Sequence, residues 1–223
     1  MVLLGMTLQT HIFSYISHPR VLMMRSLLLS CLLLSCLLFS PPVLAADLDK
    51  GIRAYDAGNY AAALAEFRPL AKRGDAAAQN NLGVMFHLGK GVAQDHSLAF
   101  KWYNLAANQG YDMAHHNLGM LYVYGLGVPQ DYVEALRWYR RAAMQGHAAG
   151  QYDLGVMYAN GEGVPQDDVR AHMWGNLARA KGVENADALI KELETHMSHQ
   201  QVATAQAMAR QCLRQDYKNC DKL

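Results

Sequence analysis

The sequence predicts an all-α solenoid of antiparallel helix pairs, and three observations carry that prediction. First, the stretch NLGVMFHLGKGVAQDHSLAFKWYNLAANQG at Asn81–Gly110 returns 36 residues later at Asn117–Gly146 and again at Asp153–Gly182, with no insertion. A period of this length in strict register marks stacked supersecondary units. Second, small and apolar residues in the first half of each unit recur at helical spacing, as Ala78, Leu82, Gly83 and Phe86 do. Third, each unit carries the same punctuation. A GxGV element (Gly89, Gly91, Val92; Gly125, Gly127, Val128; Gly161, Gly163, Val164) precedes an aspartate (Asp95, Asp131, Asp167), and a glycine (Gly110, Gly146, Gly182) closes the unit. Glycine can take the left-handed conformation that ends a helix, and aspartate caps the start of the next one. Of the shared columns, only the aspartate could do acid–base chemistry.

In chain order, residues 1–45 read as a leader. Its core, 23–45, has a basic start at Arg25, a leucine-rich run at Ser26–Phe39 and small residues at Val43 and Ala45, which is the pattern of a secretory signal peptide. Cleavage is expected after Ala45, with Ala46 close behind, and Met23 or Met24 is a plausible true start. An uncleaved anchor is the alternative, but Pro41 and Pro42 interrupt a run that barely reaches the roughly 20 residues a span needs. A lipoprotein is another, since Leu-Leu-Ser precedes both Cys31 and Cys36, but apolar residues continue past each cysteine. Arg20 and Arg25 are the leader's only formal charges, so its loss takes 20 basic residues to 18 against 19 acidic ones, a net of −1. Near-neutral charge leaves no footprint for nucleic acid or an anionic membrane surface.

Residues 47–74 form an opening helix pair, with Ile52, Tyr55, Leu64, Phe67 and Leu70 as its apolar positions and Asp56–Asn59 as its linker. It lacks the GxGV loop, and Pro69 falls late in its second helix, where proline bends or breaks a helix. Residues 75–182 hold the repeats, in units 75–110, 111–146 and 147–182. Glycine inside a helix costs about 1 kcal/mol against alanine, so Gly83, Gly119 and Gly155 imply close helix–helix approach. In the second unit Glu134 stands where it would complete a capping box with Asp131. Residues 183–223 add two amphipathic runs, Asn185–Thr195 and Ser198–Arg214, that cover the last repeat's open face; Ser198 and Gln201 match the capping-box pattern.

After export Cys212 and Cys220 are the remaining cysteines, and an even pair in an oxidising compartment favours a disulfide. On one unbroken helix their Cα atoms would be about 12 Å apart, whereas a bridge needs less than about 7 Å. The final helix must therefore end soon after Cys212 and fold back through Arg214–Asn219.

The repeat resembles the Sel-like repeat, a solenoid relative of the tetratricopeptide repeat. Residues 75–182 follow its pattern of A-x-A, L-G, G-x-G-V, D and W-Y nearly throughout. Phe86 stands for the usual tyrosine, and Gly175 replaces the tyrosine after Trp174, which should loosen packing at the end of the array. The opening pair is closer to the tetratricopeptide form.

Chemistry finds little support. Eight histidines follow the leader, but His115 and His116 diverge on a helix, and Ser198 separates His196 from His199. No HExxH motif, zinc-spaced Cys/His cluster, GxSxG, SxxK or phosphate loop is present. No catalytic residue, metal ligand or cofactor site is therefore assigned. His87 and His115 fall at variable repeat positions, which are usually solvated or ligand-facing. One tryptophan per repeat at a fixed position (Trp102, Trp138, Trp174) reads as core packing.

The resemblance implies a module that binds proteins or peptides in the periplasm or outside the cell, with membrane contact only if the leader is retained. The alternatives are an envelope hydrolase, which would gain if His116 and Asp153 converged in a deep cleft, and a purely structural scaffold. By analogy with tetratricopeptide repeats, the first helix of each pair lines the concave surface. Asn80, Asn81, Val84 and His87 should then face the groove in the first repeat, with His116, Asn117, Met120 and Val123 in the second. Tyr152, Asp153 and Val156 follow in the third, and Asn81, Asn117 and Asp153 form a polar row.

Overall fold

A computed structural model describes residues 46–222, so the leader, its cleavage point and Cys31 and Cys36 lie outside the described residues. A compact unit begins at Ala46, and it is an α-solenoid. Helices α1 (Leu48–Asp56) and α2 (Tyr60–Lys72) open it. The repeats follow as α3 (Ala76–Leu88) and α4 (His96–Ala107), α5 (Asp112–Tyr124) and α6 (Tyr132–Met144), and α7 (Ala148–Asn160) and α8 (Asp168–Ala180). Helices α9 (Ala186–Glu194) and α10 (His199–Arg214) and a 3₁₀ turn at Cys220–Lys222 close it, and no strand occurs among the described residues. Helix α2 runs on through Pro69 to Lys72.

Local chemistry sets the helix ends. Gly89, Gly125 and Gly161 are left-handed at φ 66°, 64° and 69°, and each stops a first helix. Asp95, Asp131 and Asp167 then accept backbone N–H groups of the second helices, at Leu98, at Val133 and Glu134, and at Arg170. The capping box expected of Glu134 does not form. The backbone N–H of Asp131 already donates to the Tyr122 carbonyl at 3.0 Å, and the Glu134 carboxylate pairs with Arg137 instead. The same turn closure joins Asp95 to Phe86 and Asp167 to Tyr158, so it belongs to the repeat. Ser198 and Gln201 do form a capping box on α10.

The core sits mainly between units. Ala63, Phe67 and Ala71 of α2 meet Ala78, Leu82 and Met85 of α3, and Ala99, Tyr103 and Ala107 of α4 meet Ala114, Leu118 and Leu121 of α5. The third cluster joins α6 and α7 to α8, α9 and α10 through Trp174, Leu177, Leu189, Leu193 and Ala209. Each second helix is thus covered by the next first helix, as nearest-neighbour stacking requires. Trp174 is fully buried, but Trp102 and Trp138 are only half-buried. The Trp138 ring stacks with the His115 ring and also carries the Arg141 guanidinium over it.

Within a pair, glycine admits an aromatic ring. A Cβ at Gly83 would lie 2.5 Å from the Tyr103 ring, and one at Gly119 would lie 2.5 Å from the Tyr139 ring. In the third repeat Gly175 removes that ring, yet packing does not loosen there. Ile190 Cγ1 and Leu189 Cδ2 of α9 fill the space, 3.1 and 3.7 Å from a Cβ placed at Gly175.

A polar clip recurs at each junction. The Gln79 amide donates to the Ala71 carbonyl at 3.2 Å, His115 Nε2 lies 3.1 Å from the Ala107 carbonyl, and Gln151 donates to the Ala143 carbonyl at 3.2 Å. All three side chains are buried. At the far end Cys212 and Cys220 are disulfide-bonded, with Cα atoms 5.1 Å apart. The tail reverses through positive φ at Asp216, Tyr217 and Asn219, and the Tyr217 ring lies against Lys181 and beside Gly146.

Gly119→Ala should therefore lower the unfolding free energy by about 1–3 kcal/mol through overpacking on Tyr139. Gly175→Ala should cost less, because its new methyl meets only a side-chain carbon at 3.1 Å and alanine gains about 1 kcal/mol of helix propensity. Urea denaturation of the two variants checks the order.

Candidate functional site

The repeat register places the expected groove residues in rows along α3, α5 and α7. Asn81, Asn117 and Asp153 share one row, Asn80, His116 and Tyr152 the next, and Val84, Met120 and Val156 a third. All are half-buried except Asn80, which is 3% exposed. Asn80 is a correction, since it does not face an open groove. Its Oδ1 accepts from Asn117 Nδ2 at 2.9 Å, and that bond offsets the cost of burying an amide.

A second diagonal bond of the same sequence separation follows, with His116 Nε2 2.8 Å from Asp153 Oδ2. The polar rows therefore also join neighbouring repeats. Val84 and Met120 pack against the core cluster of α4 and α5. Val123, Tyr152 and Val156 pack against the cluster that reaches the closing helices.

The histidines divide by environment. His115 is buried rather than solvated, and holds the clip position that glutamines hold in the flanking repeats. Burial lowers its proton affinity, although the facing Gln145 and Ala107 oxygens pull the other way. His87 Nδ1 lies 3.2 Å from His96 Nδ1; burial, then the neighbouring imidazole, holds its pKa below the usual range. His147 caps α7 through Nδ1, and its ring lies tilted against His116 with centroids 4.9 Å apart. Burial and then His116 lower its pKa too. Among the described residues no three His, Cys, Asp or Glu side chains converge on a metal position.

His116 and Asp153 do meet, beside a tyrosine and a second imidazole. The His116 ring lies against Tyr139 and His147, and burial pushes the Tyr139 hydroxyl far above its ordinary pKa. A cleft lies farther along the same face. It encloses about 320 Å³ between α7, α9 and the start of α8. Tyr152, Val156, Ala159 and Asn160 line one side, Leu189, Glu192 and Leu193 of α9 the other, and Gln166, Asp168 and His196 the rim.

Most of these residues escaped the sequence analysis. Position 159 could have been added by register with His87 and Val123. The pairing of His196 Nε2 with Asp168 Oδ2 at 3.1 Å joins segments whose spacing carries no signal.

The Sel1 repeat family model matches residues 76–111, 112–147 and 148–183. Residues 76–183 are three Sel-like repeats. Among solved structures, a Sel1 repeat protein from Oxalobacter formigenes is 34% identical with a TM-score of 0.61, over 65% of this chain and 59% of that one. A protective antigen of uropathogenic Escherichia coli strains with an SLR fold is 24% identical with a TM-score of 0.53, over 78% of this chain and 48% of that one, and shows the fold alone. The chain thus spans about half to three-fifths of those two proteins. No curated protein matches it. Sel1 repeats are in general protein–protein interaction modules, and the family is typically a non-catalytic scaffold.

The histidines predict a pH dependence. The unfolded chain takes up protons near pH 6.5, while burial holds folded His87, His115 and His147 below that value. Their contribution to stability is present above about pH 6.5 and is lost as pH falls toward the folded pKa values. His115→Gln keeps a donor for the Ala107 carbonyl and removes one proton-linked loss. Thermal unfolding from pH 7.5 to 5 should show a shallower acid decline for this variant than for the parent.

Proposed function

We propose that this chain is an exported interaction module of the cell envelope that binds an extended segment of another protein along the face of α3, α5 and α7. The observation that carries the reading is the repetition of half-buried residues in rows on successive first helices. Amides at Asn81 and Asn117 alternate there with apolar contacts at Val84, Met120 and Val156. An extended peptide offers backbone donors and acceptors that such amides can meet, while the apolar positions seat its side chains. Export rests on the signal-like residues 23–45 and fits the disulfide, a bond that persists in oxidising compartments.

A hydrolase reading would have to start from His116 and Asp153, and the buried Tyr139 hydroxyl beside them is a poor nucleophile. A purely structural scaffold would need the bonds that join the rows but no partner along them.

The test pairs a face variant with a back-side control. Asn81→Lys with Asn117→Asp changes the face, and a flipped Asn80 amide still bonds to the new carboxylate. Leu105→Lys alters α4 at an exposed position away from the rows. Protein recovered from the periplasm should begin at Ala46 or Asp47. The parent and Leu105→Lys should retain the same partner, and the face variant should lose it with its helical circular dichroism unchanged. Equal capture by all three contradicts binding on this face, and full-length protein held in the membrane contradicts export.

A further inference from the structure

The cleft beside α9 continues the first-helix face, because Tyr152 and Val156 are the last members of two of its rows. Helix α9 follows the third repeat where a fourth repeat's first helix would come, so this end of the face has a wall built from different residues. We propose that this cleft receives an arginine side chain of the bound segment, an inference that rests on the peptide-binding reading above.

The lining is suited to a guanidinium. Val156, Ala159, Leu189 and Leu193 give its two walls an apolar part that can cover the three methylenes of an arginine stem. Its polar groups are acceptor-rich, with carboxylates at Glu192 and Asp168 and amide oxygens at Asn160 and Gln166, and no lysine or arginine lines it. Asp168 already has partners, since Gln166 Nε2 donates to its Oδ1 at 3.1 Å and His196 lies on its Oδ2. Glu192 has no cationic partner among the described residues; burial, then Asp153 and last Glu192 raise the pKa of the Tyr152 hydroxyl.

The Tyr152 ring beside an unpaired carboxylate gives a cation both a π face and an anion. A guanidinium has five donors in a plane and no acceptor, and it stacks on aromatic rings, so it uses more of this lining than an ammonium does. A carboxylate ligand would meet Glu192 and Asp168 as like charges. An apolar side chain would strip water from them without compensation.

The probes are N-acetyl-arginine methylamide and its citrulline and lysine counterparts, added to the isotope-labelled protein and followed by amide chemical shifts. Citrulline has nearly the shape of arginine without its charge. The arginine probe should shift the amides of Val156, Leu189 and Glu192 saturably, with citrulline and lysine weaker. Glu192→Gln, an exposed change that leaves the core alone, should weaken the arginine probe about tenfold. Equal shifts from citrulline or lysine, or no effect of Glu192→Gln, overturn the arginine site. If the partner is still captured through Asn81 and Asn117 while the arginine probe is silent, this inference fails and the face reading stands. If the arginine probe binds while capture ignores Asn81 and Asn117, the face reading fails and the cleft remains.

Discussion

Every unit of this solenoid depends on the junction where one second helix is covered by the next first helix. Two kinds of contact meet there. Alanine and leucine faces close without large voids, and a buried side chain from the incoming helix ties off a carbonyl near the end of the outgoing one. Glutamine does this at Gln79 and Gln151, and histidine does it at His115. Each of these carbonyls also accepts the backbone N–H of a turn glycine, Gly74, Gly110 or Gly146, so the clip bond chiefly satisfies the buried side chain itself, whose polar group left unpaired would cost about 1–3 kcal/mol. The clip makes stacking and the satisfaction of its own buried polar group one event.

The array ends differently from how it repeats. In the first two junctions a glutamine (Gln109, Gln145) contacts the clip residue. In the third, Lys181 takes that position and turns to Tyr217, and Gln151 Oε1 is left buried without a hydrogen-bond partner. The disulfide holds Tyr217 in this place, and α9 fills the gap left by Gly175. The closing helices therefore seal the core and, by the same contacts, build the cleft beside Tyr152. A cap that must shield an apolar face need not copy the repeat, and here it supplies the acid, Glu192, that the repeats lack at that wall.

Much of the architecture was legible because it is periodic. The 36-residue register, the capping aspartates and the turn glycines each follow from local backbone chemistry and appear three times. The disulfide was legible because the expected leader leaves one even pair of cysteines, and its geometry set the condition that the last helix stop soon after Cys212. The failures share a physical cause, namely that a partner distant in sequence settled the outcome. Glu134 lost its capping role because Tyr122 had already taken the Asp131 amide. Asn80 is buried because Asn117, a repeat away, satisfies it. Gly175 packs well because α9 arrives to fill it. His115 is instructive in another way, since its column of Gln, His and Gln already held the common chemistry of an N–H donor on a side chain of similar reach. The cleft was hidden, being assembled from α7, α8 and α9 with no shared spacing.

The account stands on the claim that partners lie along α3, α5 and α7 rather than on the outer helices. Photo-crosslinking in living cells tests it most directly, with a benzophenone amino acid placed at Asn81 in one strain and at Lys101 in another. Both positions lie in the first repeat, one on the first helix and one exposed on the second. The account predicts a specific adduct from position 81 and none from position 101. An adduct formed only from position 101 would contradict it.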